Sequence, residues 1–232
     1  MKKIFLLLSL LVISWSFSVN ASATLINRGT DSLGNRLIYD TDLNVTWYDC
    51  TNLHVLADSW QDHANWAANL AVNLNGTVYD DWRLPNSITS NSTPSFSYNG
   101  STTAGYNITS SELGYLFYLE LGNKGAYDTS GNLQSGYGLI NMGLFEHLLP
   151  VVYWSGTGEY PSSNSGYYYN FSMSTGGQGC SDSALPFYGI AIRQGDVAAV
   201  PEPPTIFLLV AGFIGALLVR KILISRMLGG HS

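Results

Sequence analysis

An α+β domain is the fold that this sequence predicts, on three observations. Two segments in its first half carry apolar residues at helical spacing behind recognisable caps. Short runs rich in aromatic and β-branched residues stand before and after them. The connections between are long and rich in Ser, Thr, Asn and Gly. No internal repeat is visible, so the strands and helices belong to one mixed unit rather than to an array.

Taken in order, the first elements are Arg36-Leu-Ile-Tyr-Asp40 and Asn44-Val-Thr-Trp47, two short strands about a turn at Thr41-Asp42-Leu43. Asp58-Ser59 caps a helix whose face is Trp60, His63, Ala64, Ala67, Ala68 and Ala71, a small-residue stripe suited to close packing on a sheet. Asn75-Gly76 ends it. Trp82-Arg83-Leu84-Pro85 follows, then a loop over 86–106. Thr109 with Glu112 three residues on predicts a capping box and a second helix, with Leu113, Leu116, Phe117 and Leu121 inward and Gly122 as its stop. Residues 123–138 read as a second long loop and 142–149 as a short helical turn. The segments 151–154, 166–171 and 187–193 read as late strands.

Both ends of the chain read as addresses rather than as parts of the fold. Lys2 and Lys3 precede an apolar stretch over 4–19, and Ala21-Ser22-Ala23 supplies small residues for cleavage. This is the layout of a secretory signal peptide over 1–23, cut after Ala23; Val19-Asn20-Ala21 would also serve. At the other end, Pro201-Glu202-Pro203-Pro204 precedes an uncharged run over 205–219, and Arg220, Lys221 and Arg226 follow. As a helix that run spans about 22 Å, short of the roughly 30 Å hydrocarbon core. It crosses a membrane only by drawing on Ile222-Leu223-Ile224 while the basic heads snorkel, with its basic end in the cytoplasm. Motif, marginal helix and basic stub together resemble the PEP-CTERM sorting signal of exported bacterial proteins. The resemblance implies that an exosortase-type membrane enzyme processes the tail, 199–232, near Pro201, Glu202 and Pro203.

Between the addresses the charge changes character. Residues 24–200 hold five basic and fifteen acidic side chains, a formal charge of about −10 against −6 for the whole chain. Nucleic acids and strongly sulfated glycans reward clustered Lys and Arg, whereas Arg28, Arg36, Arg83, Lys124 and Arg193 are scattered; both are poor partners for such a surface. Cys50 and Cys180, an even count in an exported domain, predict one disulfide, worth about 4–5 kcal/mol on the chain-entropy model. A rival reading makes Cys50 a nucleophile assisted by His54. Neither cysteine has a partner at metal-ligand spacing.

Other patterns invite functional readings that simpler ones displace. Asp40-x-Asp42-x-Asn44 copies the opening of a calcium loop but lacks the Gly and Glu that complete one, so a turn bonded to its own backbone is expected and no metal. Arg83, between Trp82 and Leu84, is expected to pair structurally with Asp40, Glu112 or Asp196, with Pro85 as part of the same motif and Trp154 in the core. Tyr160, Tyr167, Tyr168 and Tyr169 lie among Gly, Ser and Asn, and strand alternation must leave some of them outside. Tyr160, Tyr167 and Tyr169 are therefore candidate sugar-stacking residues. Asn-x-Ser/Thr triplets stand at Asn44, Asn75, Asn91, Asn99, Asn107 and Asn170, of which Asn91 and Asn99 are the loop cases for glycan attachment. His54, His63 and His147 have no motif context, and no catalytic constellation or cofactor site is predicted.

Leu37-Ile38-Tyr39-Asp40 to Trp47, Asp81-Trp82-Arg83-Leu84-Pro85, Ser111-Glu112-Leu113, Tyr153-Trp154-Ser155-Gly156 and Ala191-Ile192-Arg193 to Gly195 occur in an order that resembles the Lcl C-terminal-like domain. That bacterial extracellular domain is named after the end of a collagen-like adhesin and is frequently found with PEP-CTERM tails. The resemblance covers 24–198 and implies a C-type lectin-like fold, with two helices, small antiparallel sheets and long loops, and a role in adhesion or glycan binding. The expected function is a noncatalytic, exported surface or matrix protein associated with exopolysaccharide, transiently anchored by its C-terminal helix. The alternatives are a lectin-like adhesin for an external glycan or protein and, distantly, an enzyme acting on extracellular polysaccharide. Collagen-like relatives make an oligomer compatible with this reading.

Overall fold

The computed structural model describes residues 24–50, 59–87, 95–159 and 166–197. The expected signal peptide with Ala23, the expected sorting tail with Pro201, Glu202 and Pro203, and also His54, Asn91 and Tyr160 lie outside the described residues.

The first sheet has the order β1-β2-β3-β11, built from Leu25–Thr30, Arg36–Asp40, Val45–Asp49 and Ala191–Gln194, antiparallel throughout. Asp40 stands opposite Val45 across the β2–β3 hairpin, close to the expected boundaries. The second sheet has the order β6-β7-β10-β9-β8, from Phe96–Ser97, Ala104–Gly105, Gly177–Asp182, Tyr167–Ser172 and Val152–Glu159. Among its described strands β6 and β7 pair in parallel and the others antiparallel. A small hairpin, β4 (Val72–Leu74) with β5 (Thr77–Tyr79), stands apart.

Helix α1 runs Trp60–Ala68 with Ser59 as its N-cap: the Ser59 side chain accepts from the Asp62 N–H, and the Asp62 carboxylate takes the Ser59 N–H. It stops at Asn69, earlier than the sequence predicts. Asn75-Gly76 is the turn of the β4–β5 hairpin, with both residues at positive φ (53° and 90°), the conformation that Asn-Gly adopts most readily between two strands. Helix α2 (Glu112–Tyr115) is capped by Ser111 instead of Thr109, because Glu112 is engaged elsewhere. It continues as a π-helical turn over Leu116–Glu120, closed by Leu121 N–H donating to the Leu116 carbonyl at 2.9 Å. Residues 142–149 hold a turn, with Phe145 N–H on the Met142 carbonyl, and no helix. No helix among the described residues is long and apolar enough to cross a membrane.

Period-two alternation distributes the strand side chains between two cores. Ile38, Trp47, Tyr153 and Ile192 face a cluster with Leu113, Leu116, Phe117 and Leu121 of the second helical segment. Their neighbours Leu37, Tyr48, Trp154 and Ala191 face a second cluster with Ala67 of α1, Val72, Leu74 and Trp82. Helical segments therefore cover opposite sides of the strands, and each large side chain so buried contributes about 1.5–3 kcal/mol. The Ala stripe lets α1 lie close; His63 and Ala67 are its buried residues.

Trp82-Arg83-Leu84-Pro85 joins the two sheets. Arg83 exchanges both backbone hydrogen bonds with Ile192 of β11, at 2.8 Å each. Two residues on, the Pro85 carbonyl accepts from Gly156 N–H (2.7 Å) and Ser155 Oγ (2.9 Å) of β8. The Arg83 guanidinium forms a bidentate pair with Glu112 (2.7 Å to each oxygen), and Glu112 also accepts the Asn86 N–H. Of the three partners that the sequence offered, Glu112 is the one taken: Asp196 pairs with Arg28, and Asp40 serves its own hairpin.

Replacing Glu112 by Ala leaves a half-buried guanidinium and the Asn86 N–H without their acceptor. The expected loss is about 2 kcal/mol of unfolding free energy. Urea denaturation checks it; a change under about 0.5 kcal/mol, the size of an ordinary surface substitution, would show the pair to be idle.

Candidate ligand surface

Strand alternation decides which tyrosines are available, and it removes one that the sequence favoured. Tyr169 is fully buried, on the same side of β9 as Phe171, and therefore presents no face to a ligand. Tyr168, on the other side, stacks on Trp60 at 4.0 Å and packs against the second core. Tyr167 is half-buried at the start of β9. Trp82, Pro85 and Trp154 are buried and Arg83 is half-buried, in the structural places already described.

The expected Cys50–Cys180 disulfide is not formed: both cysteines are free and half-buried. Cys50 packs against the second core, whereas Cys180 stands directly opposite Tyr169 and so shares the other face of the second sheet. Loop length alone carried no information about faces. Burial, with Asp49 and Asp31 close by, pushes the Cys50 thiol up to about 12, and burial also raises Cys180. A thiol so raised is protonated at neutral pH, which argues against Cys50 as a nucleophile.

The Asp40-Asp42-Asn44 segment closes on itself. Asp40 Oδ1 accepts the N–H groups of Asp42 (3.1 Å) and Leu43 (3.0 Å), and Asn44 takes positive φ. Tyr115 donates its hydroxyl to Asp42 at 2.8 Å. Burial, with Asp40 and Asp42 adding repulsion, pushes the neighbouring Glu120 carboxyl up to about 7. Among the described residues no group of three His, Cys, Asp or Glu side chains is placed to hold a metal ion. A 230 Å³ hollow lined by Leu121, Asn123, Lys124 and Ile140 is small for a ligand site, and Asn123 spends its amide on Ile140 and Asn141.

The surface with ligand-binding chemistry comes from the two long loops. Phe96 of β6 and Tyr98, Tyr106 and Tyr127 form one aromatic cluster. Phe96 meets Tyr98 edge-on at 5.1 Å, Tyr106 meets Tyr127 at 4.9 Å, Tyr98 meets Tyr127 at 5.3 Å, and Tyr98 lies parallel to Tyr106 at 6.0 Å. These are contact geometries that aromatic pairs prefer. Yet Phe96 remains 58 % exposed and Tyr98 37 %. A core would have covered them.

Local chemistry holds these rings still. Asn107, at φ 58°, donates its amide to the carbonyls of both Tyr98 (2.7 Å) and Tyr127 (3.0 Å), tying the two loops together. Its own N–H is received by the Tyr118 hydroxyl at 2.9 Å. Asp128 caps the turn after Tyr127 by accepting from Ser130 and Asn132, each at 2.9 Å. Gly131 completes that turn at φ 84°; a Cβ there would lie 2.9 Å from the Tyr98 ring. Asn99 and Ser101 supply exposed polar groups beside the rings. Fixed apolar faces bordered by amides and hydroxyls can hold a ligand that is itself part apolar and part hydroxylic.

The structure also sorts the Asn-x-Ser/Thr triplets. Asn107 is committed to its clamp and Asn170 is buried against Ser181, whereas Asn99 is exposed. No protein family, curated protein or solved structure matches the chain.

Two outcomes follow. Nonreducing mass mapping of the folded protein should find two free thiols, with Cys50 the slower to alkylate; a peptide linking residues 50 and 180 would contradict the assignment. Glu120 is ordinarily near 4.5, so the folded state holds its proton more tightly than the unfolded state, and the associated stability is lost as pH rises through about 7. Glu120→Gln should match the parent near pH 4 and exceed it by about 1 kcal/mol at pH 8, solvent screening having reduced the effect. Parallel pH–stability curves for the two proteins would refute this.

Proposed function

We propose that this chain is a noncatalytic exported protein of the cell surface or extracellular matrix, associated with exopolysaccharide through the aromatic surface of Phe96, Tyr98, Tyr106 and Tyr127. That exposed yet immobilised cluster carries the reading. Ordered rings shed little conformational freedom on binding, and hydroxyl and amide groups beside them match the alternating C–H and O–H groups of a sugar. The resemblance to the Lcl C-terminal-like domain, and through it to C-type lectin-like folds, supports a binding role. The mixed fold with two helices, small sheets and long loops agrees in kind.

The ends of the chain support the place of action. The leader over 1–23 directs export. The PEP-CTERM-like tail hands the protein to an exosortase-type enzyme near Pro201, Glu202 and Pro203 after a transient stay in the membrane. An acidic surface suits a protein that stays soluble among polysaccharides and does not adhere to nucleic acid.

Retention on polysaccharide prepared from the producing cells is expected to fall at least tenfold on Tyr98→Ala while the protein stays folded, its melting temperature falling by only a few degrees as the ring contacts are lost. Equal retention of the two proteins sinks this surface as the site, and retention on foreign polysaccharides alone makes the protein an adhesin. Intact mass of the protein recovered from the cell surface should place its C-terminus near 201–203; a mass running through Ser232 would make it a membrane-anchored ectodomain.

A further inference from the structure

Each arginine of the domain is paired with a carboxylate, which constrains what the aromatic surface can bind. Arg28 holds Asp196 (2.9 Å through Nε), and Arg36 holds Glu146. Arg83 holds Glu112 with both terminal nitrogens, and Arg193 holds Asp81 at 2.6 and 3.0 Å. Arg28 and Arg193 also lie over the rings of Tyr39 and Tyr79. Recognition of a carboxylate, sulfate or phosphate relies on a guanidinium fork or clustered ammonium groups aimed at the anion. Among the described residues Lys124 is the one basic side chain outside an ion pair, and it stands exposed in the loop leading to Tyr127. A negative charge adjoins the cluster: Asp128 follows Tyr127 and sits in the turn whose Gly131 packs on Tyr98. Hydrogen bonds from the backbone and side chain of Asn132 hold its carboxyl below the usual range, so it is ionised at neutral pH.

We propose that the aromatic surface takes an uncharged glycan and discriminates against chains bearing uronate or sulfate groups. This rests on the polysaccharide reading above and adds the class of ligand. Stacking of sugar C–H faces on Phe96 and Tyr98 needs no counter-charge. An anionic chain would have to desolvate its charge beside Asp128 with no free guanidinium to receive it. An arginine could be released only by stranding its carboxylate partner, and two of these partners, Glu112 and Asp196, are themselves half-buried.

The test uses the exported protein in affinity electrophoresis on matched polysaccharides that differ in charge: hydroxyethylcellulose against carboxymethylcellulose, dextran against dextran sulfate, and the producing cells' own polysaccharide before and after carboxyl reduction. Retardation by an uncharged member, at least tenfold weaker by its charged counterpart and little changed by added salt, is the expected result. Tyr98→Ala should abolish it while its circular dichroism stays that of the folded parent, and Tyr98→Phe should keep it, which separates loss of the ring from loss of folding and from loss of the hydroxyl. Stronger retardation by the charged members, suppressed by salt and lost in Lys124→Gln, would overturn the inference while leaving the polysaccharide reading in place. No retardation by any member, or retardation that Tyr98→Ala leaves intact, would overturn both.

Discussion

The strand-like segment from Trp82 to Pro85 is the constraint on which the rest of the molecule depends. On one side it bonds to Ile192 in the first sheet; on the other, Pro85 receives Ser155 and Gly156 of the second. Neither sheet is wide enough to bury both of its faces alone, and joined they support two cores instead of one. The Arg83–Glu112 pair extends the same seam to the cap of α2, so the position of that helix is set by the segment that sets the sheets. This explains why an arginine stands between Trp82 and Leu84. Its stem and backbone belong to the sheet, while its fork reaches the helix.

Much of this was legible before any coordinates. The hairpin over Arg36–Asp49, the Ser59 cap and the late strands all announce themselves by period and capping chemistry. Strand β10 does not, because Gly177-Gln178-Gly179-Cys180-Ser181-Asp182 has none of the usual strand residues and is held by pairing to β9 along its whole length. Asn75-Gly76 announced a chain reversal correctly, but a reversal ends a helix and closes a hairpin alike; only the short apolar alternation of Val72 and Leu74 distinguishes them. The π-helical turn after Tyr115 leaves no mark in the apolar pattern.

The aromatic surface was harder to see for a related reason. Phe96, Tyr98, Tyr106 and Tyr127 come from two loops that the sequence presents as polar connections, and their assembly depends on the non-local clamp at Asn107. A run such as Tyr167-Tyr168-Tyr169 draws attention by density, yet a paired strand sends alternate members of such a run into packed interiors. Scattered aromatics flanked by Asn and Gly, each able to hold positive φ, were the signal that existed. The cysteines make the complementary point: their even count spoke of a bridge, but sheet alternation places them on opposite faces.

The placement of β11 has a mechanical consequence. This strand is the last element of the described residues and the edge strand of the first sheet, paired with β3 along its length and bridged at Ile192 to Arg83. Beyond it Gly195 is held by Asn44 and Thr46, Asp196 by Arg28, and Val197 by Tyr79. Tension applied through the C-terminal segment would enter along the axis of this strand and load its bonds to β3 and to Arg83 in shear. Hydrogen bonds loaded in shear must yield together, whereas a strand peeled from an edge surrenders them singly. A domain built this way resists being pulled open from its C-terminal end.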